Sequence, residues 1–335
     1  MFPRHEPQWL FRQTMCPLNS SPVSRNLSSP LDDTQLAPLD RRCETVQFDS
    51  PLSDTDHRRL AALLRDYPGV ALRVFSHCSS AAPDLSFLRH YSSLKRFEVD
   101  LVHLESLRGV ECLPDSLEYF SFGFTRSKRH SLEFLSRFKQ LRELHLEGHT
   151  KDIEVLAKLT SLESLGLRSI TLPDLAVLLP LRHLWSLEIK LGGTIDLSLL
   201  PRVGRLKYLE LWMIKGLQNI DPIAEIGTLQ NLWLEALKNV TSLPSFRRLP
   251  ALRRVTLDTM KGLSNLSPIA EAPGIEELAV LCMGQLPLAA FEPFAGHATL
   301  KFATVGLGSE RKNRQIESLL GLPPFRRDKF NFSYR

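Results

Sequence analysis

The chain has 335 residues, of which 43% are hydrophobic and 24% charged, with 42 basic against 37 acidic side chains and a net charge of +5. These ordinary globular values exclude collagen-like, coiled-coil and wholly disordered chains. No run reaches the roughly 18 apolar residues that a membrane helix needs, because a charge interrupts every leucine-rich stretch.

Residues 1–44 are rich in Ser, Pro, Asn and Gln, show little apolar periodicity, and are expected to be disordered. Arg4 and Arg12 are not followed by an apolar signal core, so the expected compartment is the cytoplasm. Residues 45–69 read as a cap, with a strand at 45–48 (TVQF) and an amphipathic helix at 54–66 closed by Pro68 and Gly69. Cys16, Cys43, Cys78, Cys112 and Cys282 are odd in number, scattered and never spaced as CxxC. That spacing argues against disulfides and against a zinc site, and leaves reduced thiols mostly buried as small apolar groups.

From residue 70 onward one pattern, LxxLxL, returns again and again. Its first positions are Leu94, Leu117, Leu141, Leu162, Leu184, Leu206, Leu229, Leu252, Ile275 and Leu300, at intervals of 21 to 25 residues. Residues 72–77 add one weaker unit, which gives an array of about eleven units over 70–322. Positions four and six of each unit alternate on a short strand and point to one face, while three, five and seven point to the other. Stacked units therefore predict a parallel sheet over a continuous leucine core.

The return segments suit one or two helical turns, as at 152–159 and 173–179. In Asp221-Pro222-Ile223-Ala224 and Ser267-Pro268-Ile269-Ala270, Asp221 and Ser267 are expected as N-caps before a proline at the first helical position. Residues 313–320 are expected to cap the last unit, and 323–335 (PPFRRDKFNFSYR) form a basic, aromatic tail.

This pattern resembles the leucine-rich repeat family over about three-quarters of the chain. The resemblance implies a right-handed α/β solenoid with a parallel sheet on the concave face and short helices or turns on the convex one. Position nine, where the family usually carries Asn or Cys, holds Val102, Thr125, His149, Ile170, Gly192, Ile214, Leu237, Met260 and Met283. An asparagine ladder is thus absent, and turn geometry is expected to vary. The phrases at 214–217 and 260–263 look like the irregular repeats of bacterial proteins and plant resistance receptors, so a bacterial, cytosolic or host-delivered protein is the implied setting.

In rows three, five and seven the acids are Glu98, Asp100, Glu143, Glu147, Glu188, Glu210, Glu235, Asp258 and Glu277, against the bases Arg96, Arg168, Lys190 and Arg254. The concave face therefore carries an acidic excess on a basic protein. Tyr208, Glu210, Trp212, Trp233, Glu235 and Asp258 fall in three adjacent units and are expected to form one exposed aromatic-acidic patch, with Glu188, His145 and Glu147 beside it. Exposed Trp and Tyr are favoured binding anchors, and carboxylates around them select a basic partner able to stack on the rings.

His145, Glu147 and His149 alternate on one strand, but HxExH lacks the helical spacing of a zinc-protease motif, so solvated side chains are expected there instead of a metal. No nucleophile elbow or phosphate loop is present, and Cys282 has no neighbouring histidine. The function expected is a cofactor-free, non-enzymatic module that binds a basic protein or peptide. The alternative is an electrostatic binder of nucleic acid or another anionic surface, using the basic clusters at 126–130, 247–248, 311–314 and 326–327. Those clusters fall in return segments and the tail, which scatters them and disfavours that alternative.

Overall fold

The computed structural model describes residues 23–76 and 83–324, together with Phe330 and Phe332. Cys16, Cys78 and the rest of the tail lie outside the described residues.

Thirteen strands among the described residues stack in chain order into a single parallel sheet. β1 (Val23–Leu27), β2 (Cys43–Phe48) and β3 (Ala71–Ser76) come first. β4 (Arg96–Leu101), β5 (Tyr119–Phe122), β6 (Glu143–Glu147), β7 (Ser164–Arg168) and β8 (Ser186–Lys190) follow. β9 (Tyr208–Trp212), β10 (Asn231–Glu235), β11 (Arg254–Asp258), β12 (Glu277–Leu281) and β13 (Phe302–Gly306) complete the sheet. Each strand pairs with the next at the same repeat position: Leu232 lies between Leu209 and Val255, and Leu234 between Leu211 and Leu257. Rows four and six consequently merge into one core, in which Leu144, Leu165, Leu187, Leu209, Leu232, Val255 and Leu278 have no exposed surface.

The chain joins the fold earlier than its composition suggests. Disorder was expected as far as residue 44, yet β1 pairs in parallel with β2 through Ser24–Thr45 and Leu27–Phe48. Two things hold this segment. Leu27, Leu31 and Leu39 are buried, and the Asp56 carboxylate accepts from Ser29 Oγ (2.5 Å) and from the Leu31 amide (3.1 Å). Asp56 belongs to α1 (Asp54–Arg65), whose N-cap Ser53 accepts from the Asp56 amide and whose Leu60 and Leu64 face the core.

The returns are tighter than α-helices. Ile153–Lys158, Ala176–Leu178 and Asp221–Glu225 are 3-10 turns, and α2 (Ser267–Ala270) is one α-helical turn. Asp221 and Ser267 are not N-caps. Their amides instead donate to Asn219 Oδ1 (2.8 Å) and Asn265 Oδ1 (2.9 Å), Asx turns in which a side chain two residues earlier takes the orphan N–H. Ala176 and Ser198 are held in the same way by Asp174 and Asp196. α3 (Glu310–Leu320) lies over the last unit and ends on a left-handed Gly321.

Turn geometry at the other end of the strands is uniform through seven consecutive units, while Leu101, Phe124 and Leu307 at position eight of the outer units lack the positive φ, so the expected variation lies at the ends of the array. At position eight, Gly148, Ser169, Leu191, Met213, Ala236, Thr259 and Cys282 all have positive φ, between 49° and 71°. Their amides donate to the position-seven carbonyls of the next unit, from Gly148 to Arg168 through Cys282 to Gly306, at 2.6 to 2.9 Å. A backbone ladder here does the work of the missing asparagines, and it imposes a left-handed conformation that non-glycine residues adopt only at a cost. At position nine, His149 Nε2 still reaches the Gly123 carbonyl (3.0 Å), and Thr125 Oγ1 donates to that of Ser127.

Candidate functional site

Rows three, five and seven share the face opposite the leucine core, as the alternation requires. Strands in a sheet stand about 4.8 Å apart, so long side chains in these rows lie against one another and cover shorter ones. The expected open patch is therefore divided. Tyr208, Glu210 and Glu188 are buried, with 5%, 6% and 4% of their surface exposed, whereas Trp212, Trp233, Glu235, Asp258, His145 and Glu147 are half-buried.

The buried part is an ionic cluster. Lys190 Nζ lies 2.7 Å from Glu188 and 3.0 Å from Glu210, and the Tyr208 hydroxyl donates to Glu210 at 2.8 Å. Burial, together with the Glu188 charge, raises the Glu210 carboxyl to about 7. Burial opposes the Lys190 charge as well, but the two carboxylates outweigh it and hold that ammonium above its ordinary range. These groups satisfy one another and cannot also grip a partner.

The half-buried part is different. Glu235 pairs across the sheet with Trp212 on one side and Asp258 on the other, and the Trp233 indole donates to Glu235 at 3.1 Å. The Trp212 ring already carries the Arg168 guanidinium at 5.0 Å, and Arg168 also meets Glu147 at 3.3 Å. The other acids of the face are likewise neutralised: Glu98 and Asp100 by Arg73, Glu143 by Arg96, Glu277 by Arg254. Among the described residues, Glu235 and Asp258 are the two acids of these rows without a basic side chain in salt-bridge range. Burial, and then the Asp258 charge, raises the Glu235 pKa. Lys190 and Arg168 were visible in row seven, but only strand-by-strand pairing reveals that they lie against Glu188, Glu210 and Glu147 and out of salt-bridge range of Glu235 and Asp258.

The HxExH residues do not converge and are not all solvated. His145 and Glu147 stay on the sheet face, whereas His149 is fully buried and stacks on Phe122 at 3.7 Å. Of the described cysteines only Cys43 is buried; Cys112 and Cys282 are exposed, which corrects the expectation of mostly buried thiols. Slight burial and the neighbouring Asp258 raise the Cys282 pKa, which disfavours a nucleophilic thiolate. Among the described residues no helix is long and apolar enough to cross a membrane.

The repeating strand, the single parallel sheet and the buried rows define a leucine-rich repeat solenoid. No family model and no curated protein sequence matches the chain. Solved structures that share the fold include the following two. An internalin (inlF) from Listeria monocytogenes is 16% identical, with a TM-score of 0.51 over 85% of this chain and 81% of its own. A leucine-rich repeat protein of Leptospira interrogans is 17% identical, with a TM-score of 0.51 over 85% of this chain and 72% of its own. At such identity the likeness is one of architecture.

Proposed function

We propose that the chain is a non-enzymatic binding module that holds a basic segment of another protein against Trp233, Glu235, Asp258 and the edge of Trp212. The observation that carries this reading is the pair Glu235 and Asp258, adjacent like charges with no basic side chain in salt-bridge range among the described residues, beside an accessible indole. Like charges facing each other across paired strands are destabilising. A lysine or arginine placed between them removes that repulsion and can lie on the Trp233 face. The preformed sheet supports this reading, since docking on a rigid solenoid needs little backbone change. Action in the cytoplasm is part of the proposal and rests on cysteine spacing unsuited to a disulfide framework.

Selection from a displayed random-peptide library tests the reading. Lys- and Arg-rich sequences should be enriched on the parent protein and lost on the Glu235→Gln/Asp258→Asn variant. Enrichment of the same sequences on both proteins would overturn the assignment of this patch.

A further inference from the structure

A second feature of the concave face stands apart from the Trp212–Trp233 patch. Position two of each unit lies at the N-terminal margin of the sheet and carries a ladder of ion pairs. Lys95 meets Glu118 (3.1 Å), Arg142 meets Glu163 (3.2 Å), and Glu276 meets both Arg253 (3.6 Å) and Lys301 (3.0 Å). The alternation of charge lapses at Trp185, Lys207 and Gln230, beside β8, β9 and β10.

The chain's own C-terminal segment lies at that gap. The Phe332 ring sits 5.2 Å from Trp185 and 6.3 Å from Tyr208, and Phe330 stands 4.7 Å from Phe332. The Arg254 guanidinium lies 5.0 Å from the Phe330 ring while its other side is bound to Glu277. On either side of Tyr208 in the sheet, Ser186 and Asn231 are buried, and Ser186 Oγ and Asn231 Oδ1 have no hydrogen-bond partner. Such orphan acceptors flanking Tyr208 suit the N–H groups of an extended peptide.

The span shows that this contact is not a local accident. After Gly321 turns the chain, the Pro323 carbonyl accepts from the Ala303 amide of β13 at 3.0 Å. Phe332, nine residues on, meets Trp185, which immediately precedes β8, and Tyr208 of β9, strands far back along the sheet.

We propose that the β8–β11 margin is a docking slot for a Phe-x-Phe peptide with basic neighbours, occupied in this chain by its own Phe330 and Phe332. Trp185 and Tyr208 form the aromatic walls, and Arg254 stacks on the first ring. Residues 323–335 carry four basic residues and one acidic, which suits the acidic face. An external segment of the same chemistry must displace the tail to bind. The tail is therefore a built-in competitor, and the slot works whether or not the Trp233 patch binds anything.

The test uses a fluorescent peptide of residues 323–335 and full-length proteins whose folding is checked by thermal melting. The peptide should bind Phe330→Ala/Phe332→Ala at least tenfold more tightly than it binds the parent, whose slot is filled. Adding Trp185→Ala should cost at least tenfold, adding Trp233→Ala should change nothing, and a peptide with both phenylalanines replaced by alanine should not bind. Equal affinity for parent and double variant, no binding to the folded double variant, or binding that survives Trp185→Ala would each overturn the proposal.

Discussion

Replacing His149 with asparagine should flatten the response of stability to acid. The imidazole has no exposed surface; its Nε2 donates to the Gly123 carbonyl, and its Nδ1 is buried without a partner. Burial, reinforced by nearby Lys128 and His130, lowers its pKa to about 4 from an ordinary 6.5. Between those values the unfolded chain binds a proton that the folded chain refuses. Stability from this group is thus complete above pH 6.5 and lost as pH falls toward 4. At 1.36 kcal/mol per pH unit, the loss approaches about 3 kcal/mol. Asparagine can still donate to the turn but gains no proton. His57, also buried and lowered to about 4, contributes equally to both proteins and cancels in the comparison. Urea unfolding at pH 7.5, 6, 5 and 4.5 reads the effect: the advantage of the parent should shrink by about 2–3 kcal/mol across the series. A difference that stays constant with pH would refute the reasoning.

Three further outcomes follow from the geometry. Glu210 has the opposite sign: its folded pKa, about 7, exceeds the ordinary 4.5, so its contribution is present at low pH and lost as pH rises through 7. Glu210→Gln should remove that descent in the same unfolding series. Ala236→Gly should stabilise the fold by roughly 0.5–1 kcal/mol in chemical denaturation, because φ at Ala236 is 52° and glycine carries no Cβ penalty there. Gly109→Ala should destabilise by about 2 kcal/mol or more, since φ is 98° and an added Cβ would lie 2.1 Å from the Leu85 carbonyl oxygen.

The repeat was legible because its information is local and periodic: the leucines of rows four and six mark each strand and its register, and β10 falls on positions three to seven as the pattern requires. Other features depend on pairings that a linear pattern does not encode. β1 is a short VSRNL stretch among polar residues, ordered through its pairing with β2 and through Ser29 and Leu31, just after it, bonding Asp56 of α1. Position eight is left-handed because the next unit's carbonyl demands it, and Ser169, Leu191 and Met213 give no hint of that. Tyr208 and Glu210 have the residue types of an exposed hot spot, but Glu210 is claimed by Lys190 and the Tyr208 hydroxyl, and the Phe332 ring lies against Tyr208. Trp185, at position two, falls outside rows three, five and seven, although it interrupts an alternating charge ladder that is legible in the sequence.

The central claim is that the concave face binds through Trp233 and its two carboxylates. Calorimetric titration of a library-selected basic peptide into the parent and into Trp233→Ala, with melting temperatures measured alongside, tests it most directly. The account predicts a loss of about 2 kcal/mol, roughly thirtyfold in Kd, with an unchanged melting temperature. Equal affinity in the two folded proteins would contradict it.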